Sequence, residues 1–249
     1  MIGRFLRDLR DGFLGLFFPA GDGCPACGGA AGADGGVCPD CAARFRAFAR
    51  LPACPLCGRF GAAPDAGPCP DCRRDRPSFT LARACAPYEG AVRVAVLRLK
   101  YGRCRLVAGV LGEAMSEAAR AEPAFTGAAA LVPVPLSAAR LRERGFNQAD
   151  LLAREAGRRL GLPVVHALVK ERDTPPQARL PRAAREQNLK GAFRAVNPGM
   201  LAGQGVILVD DVLTTGSTLA AAARALREAG VSDVFGLTFA TGRVTFDKR

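Results

Sequence analysis

Residues Gly205 to Ala220 read GVILVDDVLTTGSTLA, the most informative pattern in the chain. It opens with a short aliphatic run from Val206 to Val209, which is typical of a parallel strand buried on both faces of a sheet. Two carboxylates follow at once, then a turn rich in Thr, Gly and Ser, and then an Ala- and Leu-rich segment that ends at Gly230. The order of strand, acidic pair, polar turn and helix predicts a ligand site at the end of the strand.

The turn from Thr214 to Thr218 has the composition of a phosphate site. Free N–H groups at a helix N-terminus attract an anion, hydroxyl side chains add donors, and a glycine lets the backbone approach. Asp210 and Asp211 cannot hold a phosphate, but they suit sugar hydroxyls or a divalent cation beside one. An ordinary capped helix would explain one Thr and one Asp, not five polar positions in register. The predicted ligand is therefore a sugar phosphate.

Composition indicates a folded chain with its basic surface in the second part. The 249 residues are 49% hydrophobic and carry a net charge of +12. Residues 1–80 hold ten Lys or Arg against eight Asp or Glu, so most of the excess lies beyond residue 80. An excess of this size favours anionic partners.

Eight of the ten cysteines form four C-x-x-C pairs, in two tandem copies of one pattern. A two-residue gap lets both thiolates of a pair bind one tetrahedral metal, which predicts two structural Zn²⁺ ions and a cytoplasmic location. Tandem pairs argue against a redox C-x-x-C motif. The spacing does not exclude an iron–sulfur cluster, and it does not show which pairs share an ion. Cys85 and Cys104 stand outside the pattern and are expected in the core. The metal-ligand candidates are Cys24, Cys27, Cys38, Cys41, Cys54, Cys57, Cys69 and Cys72.

Three regions follow from these patterns. Residues 1–20 show apolar positions at helical spacing, which predicts an amphipathic helix docked on the protein. The longest uncharged run is too short to span a bilayer, and the early charges argue against a signal peptide. Residues 21–78 form the cysteine module, whose short apolar content makes its folding depend on metal. Residues 79–249 alternate apolar runs and amphipathic segments, an α/β pattern. Strands are expected at 81–88, 130–135, 163–169, 193–196, 206–209 and 234–240, helices at 90–101, 106–120, 137–160 (interrupted near 144–148) and 219–229, and loops at 122–127 and 172–187.

The strand–turn–helix stretch closely resembles the phosphoribosyl-pyrophosphate (PRPP) motif of type I phosphoribosyltransferases. Three further segments extend the likeness: FFPAGDGCPACG, VPVPLSAARLRERGFNQADLLA and TPPQARLPRAAREQNLKGAF. Together the four resemble the ComF family, whose better-known members act in competence for DNA uptake. The resemblance implies an α/β chain with the type I phosphoribosyltransferase fold, a parallel sheet flanked by helices, preceded by a small zinc-ribbon module in which four cysteines bind each metal.

The resemblance also implies roles for individual residues. Asp210 and Asp211 would hold the ribose 2′- and 3′-hydroxyls, and Thr214, Thr215, Gly216, Ser217 and Thr218 would hold the 5′-phosphate of PRPP, which binds with Mg²⁺. The loop after the first core strand would bind pyrophosphate, and the segment from Arg172 to Asn188 would be the flexible catalytic loop. The pyrophosphate candidates are Ser137, Arg140 and Arg144; the catalytic-loop candidates are Arg172, Gln177, Arg182, Arg185 and Asn188, with Arg182 and Arg185 foremost, and Lys100 and Tyr101 are further candidates.

Three functions stay open from the sequence. The chain is expected to transfer phosphoribosyl from PRPP to a nucleobase or amine that the sequence does not name, and electrostatic stabilisation would suffice without a covalent nucleophile. It could instead be a PRPP-binding regulator. A third hypothesis is direct binding of single-stranded DNA, since a run of basic residues without an acidic one suits a phosphate backbone, although stacking aromatics are scarce. That run is Arg93, Arg98, Lys100, Arg103 and Arg105, and the single His166 is expected to be structural on an apolar strand.

Overall fold

A computed structural model describes residues 23–32, 37–48, 50–61, 67–101, 105–172, 189 and 191–244. The predicted amphipathic helix at 1–20, Cys104, and most of the predicted catalytic loop lie outside these residues. Among the helices that the structure describes, none combines the length and apolarity that a membrane crossing requires.

Two sheets organise the chain. The main sheet is parallel throughout, with the strand order β1-β6-β5-β2, and a separate two-stranded antiparallel sheet pairs β3 with β4. The strands are β1 (Leu81–Pro87), β2 (Ala130–Pro133), β3 (Leu168–Lys170), β4 (Phe193–Ala195), β5 (Gly205–Leu213) and β6 (Asp233–Thr241).

Strand β5 lies inside the sheet and is buried on both faces, as its aliphatic run predicts. Its side chains alternate because successive Cβ atoms of a strand point to opposite faces. Val206 and Leu208 pack in one hydrophobic cluster, and Ile207 and Val209 pack in the other. The carboxylates that follow are thereby delivered to the carboxyl edge of a rigid sheet.

Helices cover both faces of the main sheet, as expected for a parallel sheet. One face carries α3, α4 and α6, and the other carries α7 with the β3–β4 pair. The helices are α1 (Pro39–Phe48), α2 (Pro70–Arg74), α3 (Gly90–Tyr101), α4 (Arg105–Arg120), α5 (Ala138–Arg144), α6 (Gln148–Leu160) and α7 (Ser217–Glu228), with 3₁₀ turns at Pro123–Phe125 and Pro198–Leu201.

The predicted break in the helical region after β2 is confirmed between α5 and α6. Gly145 ends α5 in the left-handed conformation, with φ of 81°, which a residue with a side chain rarely adopts. Asn147 then caps α6, because its Oδ1 accepts from the N–H of Ala149 at 3.1 Å. The same side chain donates from Nδ2 to the carbonyl oxygen of Val134 at 3.0 Å, which ties the start of α6 to the end of β2.

The cysteine module packs against the sheet. The N–H of Ala82 on β1 donates to the carbonyl oxygen of Leu56 at 2.7 Å, so the module covers part of the outer edge of β1. The N–H of Val244, just after β6, donates to the carbonyl oxygen of Phe60 at 2.8 Å. The first half of the module contacts the sheet as well: the Phe45 ring of α1 packs edge-on against the Phe239 ring of β6, with 5.6 Å between the ring centres.

The predicted strand at 163–169 is wrong as one element. Val164 makes only an isolated bridge beside Leu131 of β2, and the chain then leaves the main sheet to form β3. His166 lies in the connection rather than on an apolar strand: its side chain is exposed, and its Nε2 lies 2.7 Å from Oδ1 of Asp150. The expected loop at 122–127 contains a 3₁₀ turn because Glu122 accepts from the N–H of Ala124.

Candidate functional site

The two adjacent carboxylates near the carboxyl end of β5 have different partners. Asp211 is nearly buried and pairs through Oδ2 with Nζ of Lys100 on α3, at 3.0 Å. Asp210 accepts a hydrogen bond from the N–H of Asp211 through Oδ1, at 2.8 Å. One carboxylate is therefore neutralised by an internal cation, while the other lacks a comparably close one among the described side chains.

Burial and neighbouring charges set the protonation of Asp210 and of Lys100. Burial, reinforced by the charge of Asp211, raises the pKa of Asp210 from 3.8 to about 7. Burial alone would lower the pKa of Lys100, but the neighbouring Asp211 outweighs it and the Lys100 pKa is raised. Lys100 therefore stays charged at neutral pH, while Asp210 is poised between its two forms.

The turn after β5 has the backbone of an anion cradle. Gly216 has φ of 82°, the left-handed region that favours glycine. It is also the N-cap residue of α7, and it offers no side chain to the first N–H groups of the helix. The N–H of Ser217 makes a long contact, 3.5 Å, with Oγ1 of Thr215. The hydroxyls of Thr215 and Ser217 lie 2.9 Å apart, so both are held on the same turn.

The start of the turn is fixed by β6. The carbonyl oxygen of Leu213 accepts from Oγ1 of Thr241 at 2.7 Å and from the N–H of Gly242 at 2.9 Å. The ring of Phe79 lies beneath Gly216, and a Cβ built on that glycine would lie 3.9 Å from it. These contacts position the turn relative to the sheet before any ligand binds.

Asp210 and the turn converge on one small cleft, which Asp211 does not line. Asp210 lines it together with four of the five predicted turn residues, and Thr238, which is opposite Asp210 on β6, forms part of its wall. Thr238 was not among the residues that the sequence pointed to, because nothing in its own segment marks it. The complete lining is Asp210, Val212, Leu213, Thr214, Gly216, Ser217, Thr218, Leu219 and Thr238.

A larger cleft of about 620 Å³ lies on the outer side of the turn. It shares Thr215, Gly216 and Ser217 with the turn and runs along α7 between the cysteine module and Phe193. Neither aspartate of the pair lines it, so this space is distinct from the small cleft that Asp210 lines.

The predicted pyrophosphate loop is only partly free for a ligand. Ser137 is buried and caps α5, accepting from the N–H of Arg140 at 3.5 Å. The Arg144 guanidinium lies over the Tyr101 ring, 5.5 Å from its centre. Since Tyr101 follows Lys100, this contact brings the end of α5 beside the end of α3. Arg140 is half-buried, and no contact joins it to the acidic pair within the described part of the chain.

The catalytic-loop residues stay a prediction. Arg172 is exposed after β3, while Gln177, Arg182, Arg185 and Asn188 lie outside the described residues.

The basic run proposed for DNA does not form a continuous exposed stripe among the side chains that are described. Nη1 of Arg98 donates to the carbonyl oxygen of Cys24 at 2.8 Å, and Lys100 is bound to Asp211. Arg93 is exposed, but the side chains of Arg103 and Arg105 lie outside the description.

The cysteines form two separate clusters, and each joins two consecutive pairs: Cys24, Cys27, Cys38 and Cys41 in the first, and Cys54, Cys57, Cys69 and Cys72 in the second. Within each cluster the ligand atoms all lie within 4.8 Å of one another. The sulfur atoms of Cys27 and Cys38 are 3.8 Å apart, as are those of Cys57 and Cys69. Four sulfurs at about 2.3 Å around a tetrahedral zinc are about 3.8 Å apart. Both clusters therefore fit zinc.

Comparison with known proteins agrees with both parts of the structure. Residues 142–244 match the family model described as a phosphoribosyl transferase domain, and residues 13–73 match the model described as a double zinc ribbon domain.

Three relatives cover most of the chain. Competence protein F of Haemophilus influenzae is 33% identical over 210 residues, which are 81% of this chain and 89% of the relative. DNA utilization protein YhgH of Salmonella typhimurium is 33% identical over 203 residues, 80% of this chain and 87% of the relative. Competence protein ComFC of Bacillus subtilis is 31% identical over 199 residues, 78% of this chain and 79% of the relative.

Proposed function

Because the chain belongs to the ComF family and joins a double zinc ribbon to a phosphoribosyl transferase domain, we propose that it binds PRPP together with Mg²⁺. The observation that carries the proposal is the convergence of Asp210 and the turn from Thr214 to Thr218 on one cleft at the carboxyl end of β5. A sugar phosphate needs both of these features at one place, because its hydroxyls need hydrogen-bond acceptors and its phosphate needs hydrogen-bond donors.

In this proposal the turn holds the 5′-phosphate. The N–H groups at the start of α7, a 12-residue helix, would donate to this anion, and the hydroxyls of Thr215 and Ser217 would add donors. The left-handed Gly216 places the backbone close to the phosphate without a Cβ in the way.

The acidic pair would hold the ribose hydroxyls and Mg²⁺. Carboxylate oxygens are suitable ligands for this hard cation, which would neutralise pyrophosphate as it leaves. Asp210 must release its proton to bind the cation or to accept through both oxygens, and its pKa of about 7 makes this release possible near neutral pH. Lys100 pairs with Oδ2 of Asp211 and orients that carboxylate. Ser137, Arg140, Arg144, Arg182 and Arg185 remain the proposed contacts to pyrophosphate and to the closed catalytic loop.

Calorimetry tests the binding proposal. Replacing both Asp210 and Asp211 with Asn should abolish heat from PRPP with Mg²⁺, whereas wild-type protein should bind. Asp233→Asn is a matched control, because Asp233 lies at the opposite end of the same sheet, at the start of β6. Unchanged affinity in the double variant would remove the central claim.

A second measurement separates an enzyme from a regulator. We propose transfer of phosphoribosyl to a nitrogen nucleophile, and this reaction releases pyrophosphate. Protein, Mg²⁺ and PRPP are incubated with a panel of nucleobases and amines, and pyrophosphate is measured. Release that depends on one acceptor and is lost in the Asp double variant supports catalysis. Binding without release for any acceptor favours a PRPP-dependent regulator.

The names of the relatives extend the proposal to DNA utilisation and competence, which we assign to a cytoplasmic protein because clustered metal thiolates suit a reducing compartment. Direct contact with single-stranded DNA is tested by gel shifts across a salt series, with and without PRPP. Complexes that weaken steeply with salt would support phosphate contacts. No complex at low salt would place the role in metabolism or in protein partners of the uptake machinery.

A further inference from the structure

The two metal clusters are near-copies, so each serves as an internal reference for the other. In both, the N–H of the third cysteine donates to the sulfur of the first at 3.3 Å: Cys38 to Cys24, and Cys69 to Cys54. The second and third sulfur atoms are 3.8 Å apart in both. Differences between the clusters therefore arise from what surrounds the sulfur atoms, not from the clusters' own geometry.

The second cluster is shielded by a buried cation. Arg59 is only 5% exposed, and its Nε donates to the Cys57 sulfur at 3.3 Å while Nη2 donates to the Cys69 sulfur at 3.1 Å. Nη2 also pairs with Oδ2 of Asp71 at 2.8 Å. All four cysteines of this cluster are buried. The guanidinium thus bridges two thiolates and compensates part of their negative charge.

The first cluster has no residue of this kind among the described side chains. The position equivalent to Arg59, two residues after the second cysteine, is Gly29, whose N–H lies 3.4 Å from the Cys27 sulfur. Cys27 is exposed and Cys38 is half-buried. Arg98 reaches this cluster as well, but it donates to the carbonyl oxygen of Cys24 and not to sulfur.

These differences change the reactivity of the thiolates. Four thiolates on one Zn²⁺ leave a net charge of −2, and a thiolate is the nucleophilic form of cysteine. Charged hydrogen bonds to sulfur withdraw electron density, and burial excludes reagents. The second cluster has both protections. In the first cluster the Cys27 sulfur has neither, and the Cys38 sulfur lies beside it.

We propose that the first cluster is a site of oxidative modification, at which a peroxide converts Cys27 and Cys38 into a disulfide and releases zinc, while the second cluster keeps its ion. The Cys27 thiolate attacks one peroxide oxygen, the O–O bond breaks, and a sulfenic acid and hydroxide form. The Cys38 thiolate then attacks the sulfenic sulfur, forming the S–S bond and expelling a second hydroxide. Two thiolates lose two electrons, one peroxide gains them, and the zinc–sulfur bonds of both cysteines are lost.

The full-length protein loaded with zinc is treated with hydrogen peroxide, and released zinc is followed with a chromogenic chelator. One equivalent should leave about tenfold faster than the other. Peptide mass spectrometry should find the Cys27–Cys38 disulfide at the end of the fast phase. Equal release rates, or a first disulfide between cysteines of the second cluster, would overturn the proposal.

Exchanging Gly29 and Arg59 between the two clusters tests whether the guanidinium causes the difference in zinc release. Gly29→Arg should slow the fast phase, and the site has room, because a Cβ there meets only the Cys27 sulfur, at 3.5 Å. Asp40 occupies the position of Asp71 and can receive the new guanidinium. Arg59→Gly should make the second equivalent leave faster. If that variant does not fold, Arg59→Lys keeps the charge, loses the bridging geometry and should accelerate release less. Gly29→Arg protein that releases zinc at the wild-type rate would refute the role of the guanidinium.

Discussion

Replacing Asp210 with Asn is expected to stabilise the fold above neutral pH while removing PRPP binding. The ionised Asp210 carboxylate is costly because it is half-buried, loses much of its hydration and lies next to Asp211. Asn has the same shape, and its Oδ1 still accepts the hydrogen bond that Asp210 receives from the N–H of Asp211. The substitution therefore removes this costly charge and keeps its neutral contact.

The pKa of Asp210 sets the size of the effect. It is about 7 in the folded chain against 3.8 for an unperturbed side chain. Between these values the folded state holds a proton that the unfolded state has lost, so stability falls as pH rises and reaches its full loss above pH 7. At about 1.4 kcal/mol per pKa unit, the loss above pH 7 is about 4 kcal/mol, of which roughly 2 to 3 kcal/mol develops above pH 5.

Urea unfolding of zinc-loaded protein measures this difference. The free energy of unfolding of Asp210→Asn should exceed that of wild type by a margin that grows by about 2 to 3 kcal/mol from pH 5 to pH 8. Protonation of the zinc thiolates affects both proteins and cancels in the difference.

The neighbouring carboxylate provides a control of opposite sign. Asp211→Asn removes the partner of Lys100 and leaves a buried ammonium, so it should cost about 1 to 3 kcal/mol at pH 8. Asp210→Asn protein that is no more stable than wild type at pH 8, or whose advantage is the same at pH 5, would refute the raised pKa of Asp210.

Three further perturbations test other parts of the structure. Lys100→Met should lower the free energy of unfolding by about 3 kcal/mol, and adding Asp211→Asn should recover most of it; simple additivity in this cycle would show that the pair is not coupled. Gly216→Ala should cost about 1 kcal/mol through its left-handed φ and weaken PRPP binding in calorimetry, whereas Gly127→Ala, with φ of 86° and open space around its Cβ, should cost the same and leave affinity unchanged. Removing zinc with a chelator should speed hydrogen exchange at β1, because Leu56 of the second ribbon covers its edge; unchanged exchange there would mean that the sheet holds this edge without the ribbon.

The elements that the sequence predicted correctly are those whose contacts join residues close together in the chain. The run from Val206 to Val209 and the turn after it are recognisable because period, charge and glycine placement all act within a few residues. The same holds for the spacing of the cysteine pairs and for the break at Gly145, which a left-handed residue enforces. The spacing did not reveal which pairs share a metal, and the structure shows that consecutive pairs do.

The electrostatics of the site and the course of the chain around it depend on contacts between residues that are far apart in the sequence. Sequence ranked Lys100 below the arginines of the loops, yet it is Lys100 that pairs with Asp211, from a helix distant in the chain. The segment at 163–169 has the composition of one strand, but it forms only a single bridge beside β2. The chain then leaves the main sheet and forms β3, which pairs with β4. The pKa of Asp210 depends on burial by every element packed around the end of β5. Desolvation and long-range ion pairing arise only when the chain has folded, so no short segment of sequence predicts them.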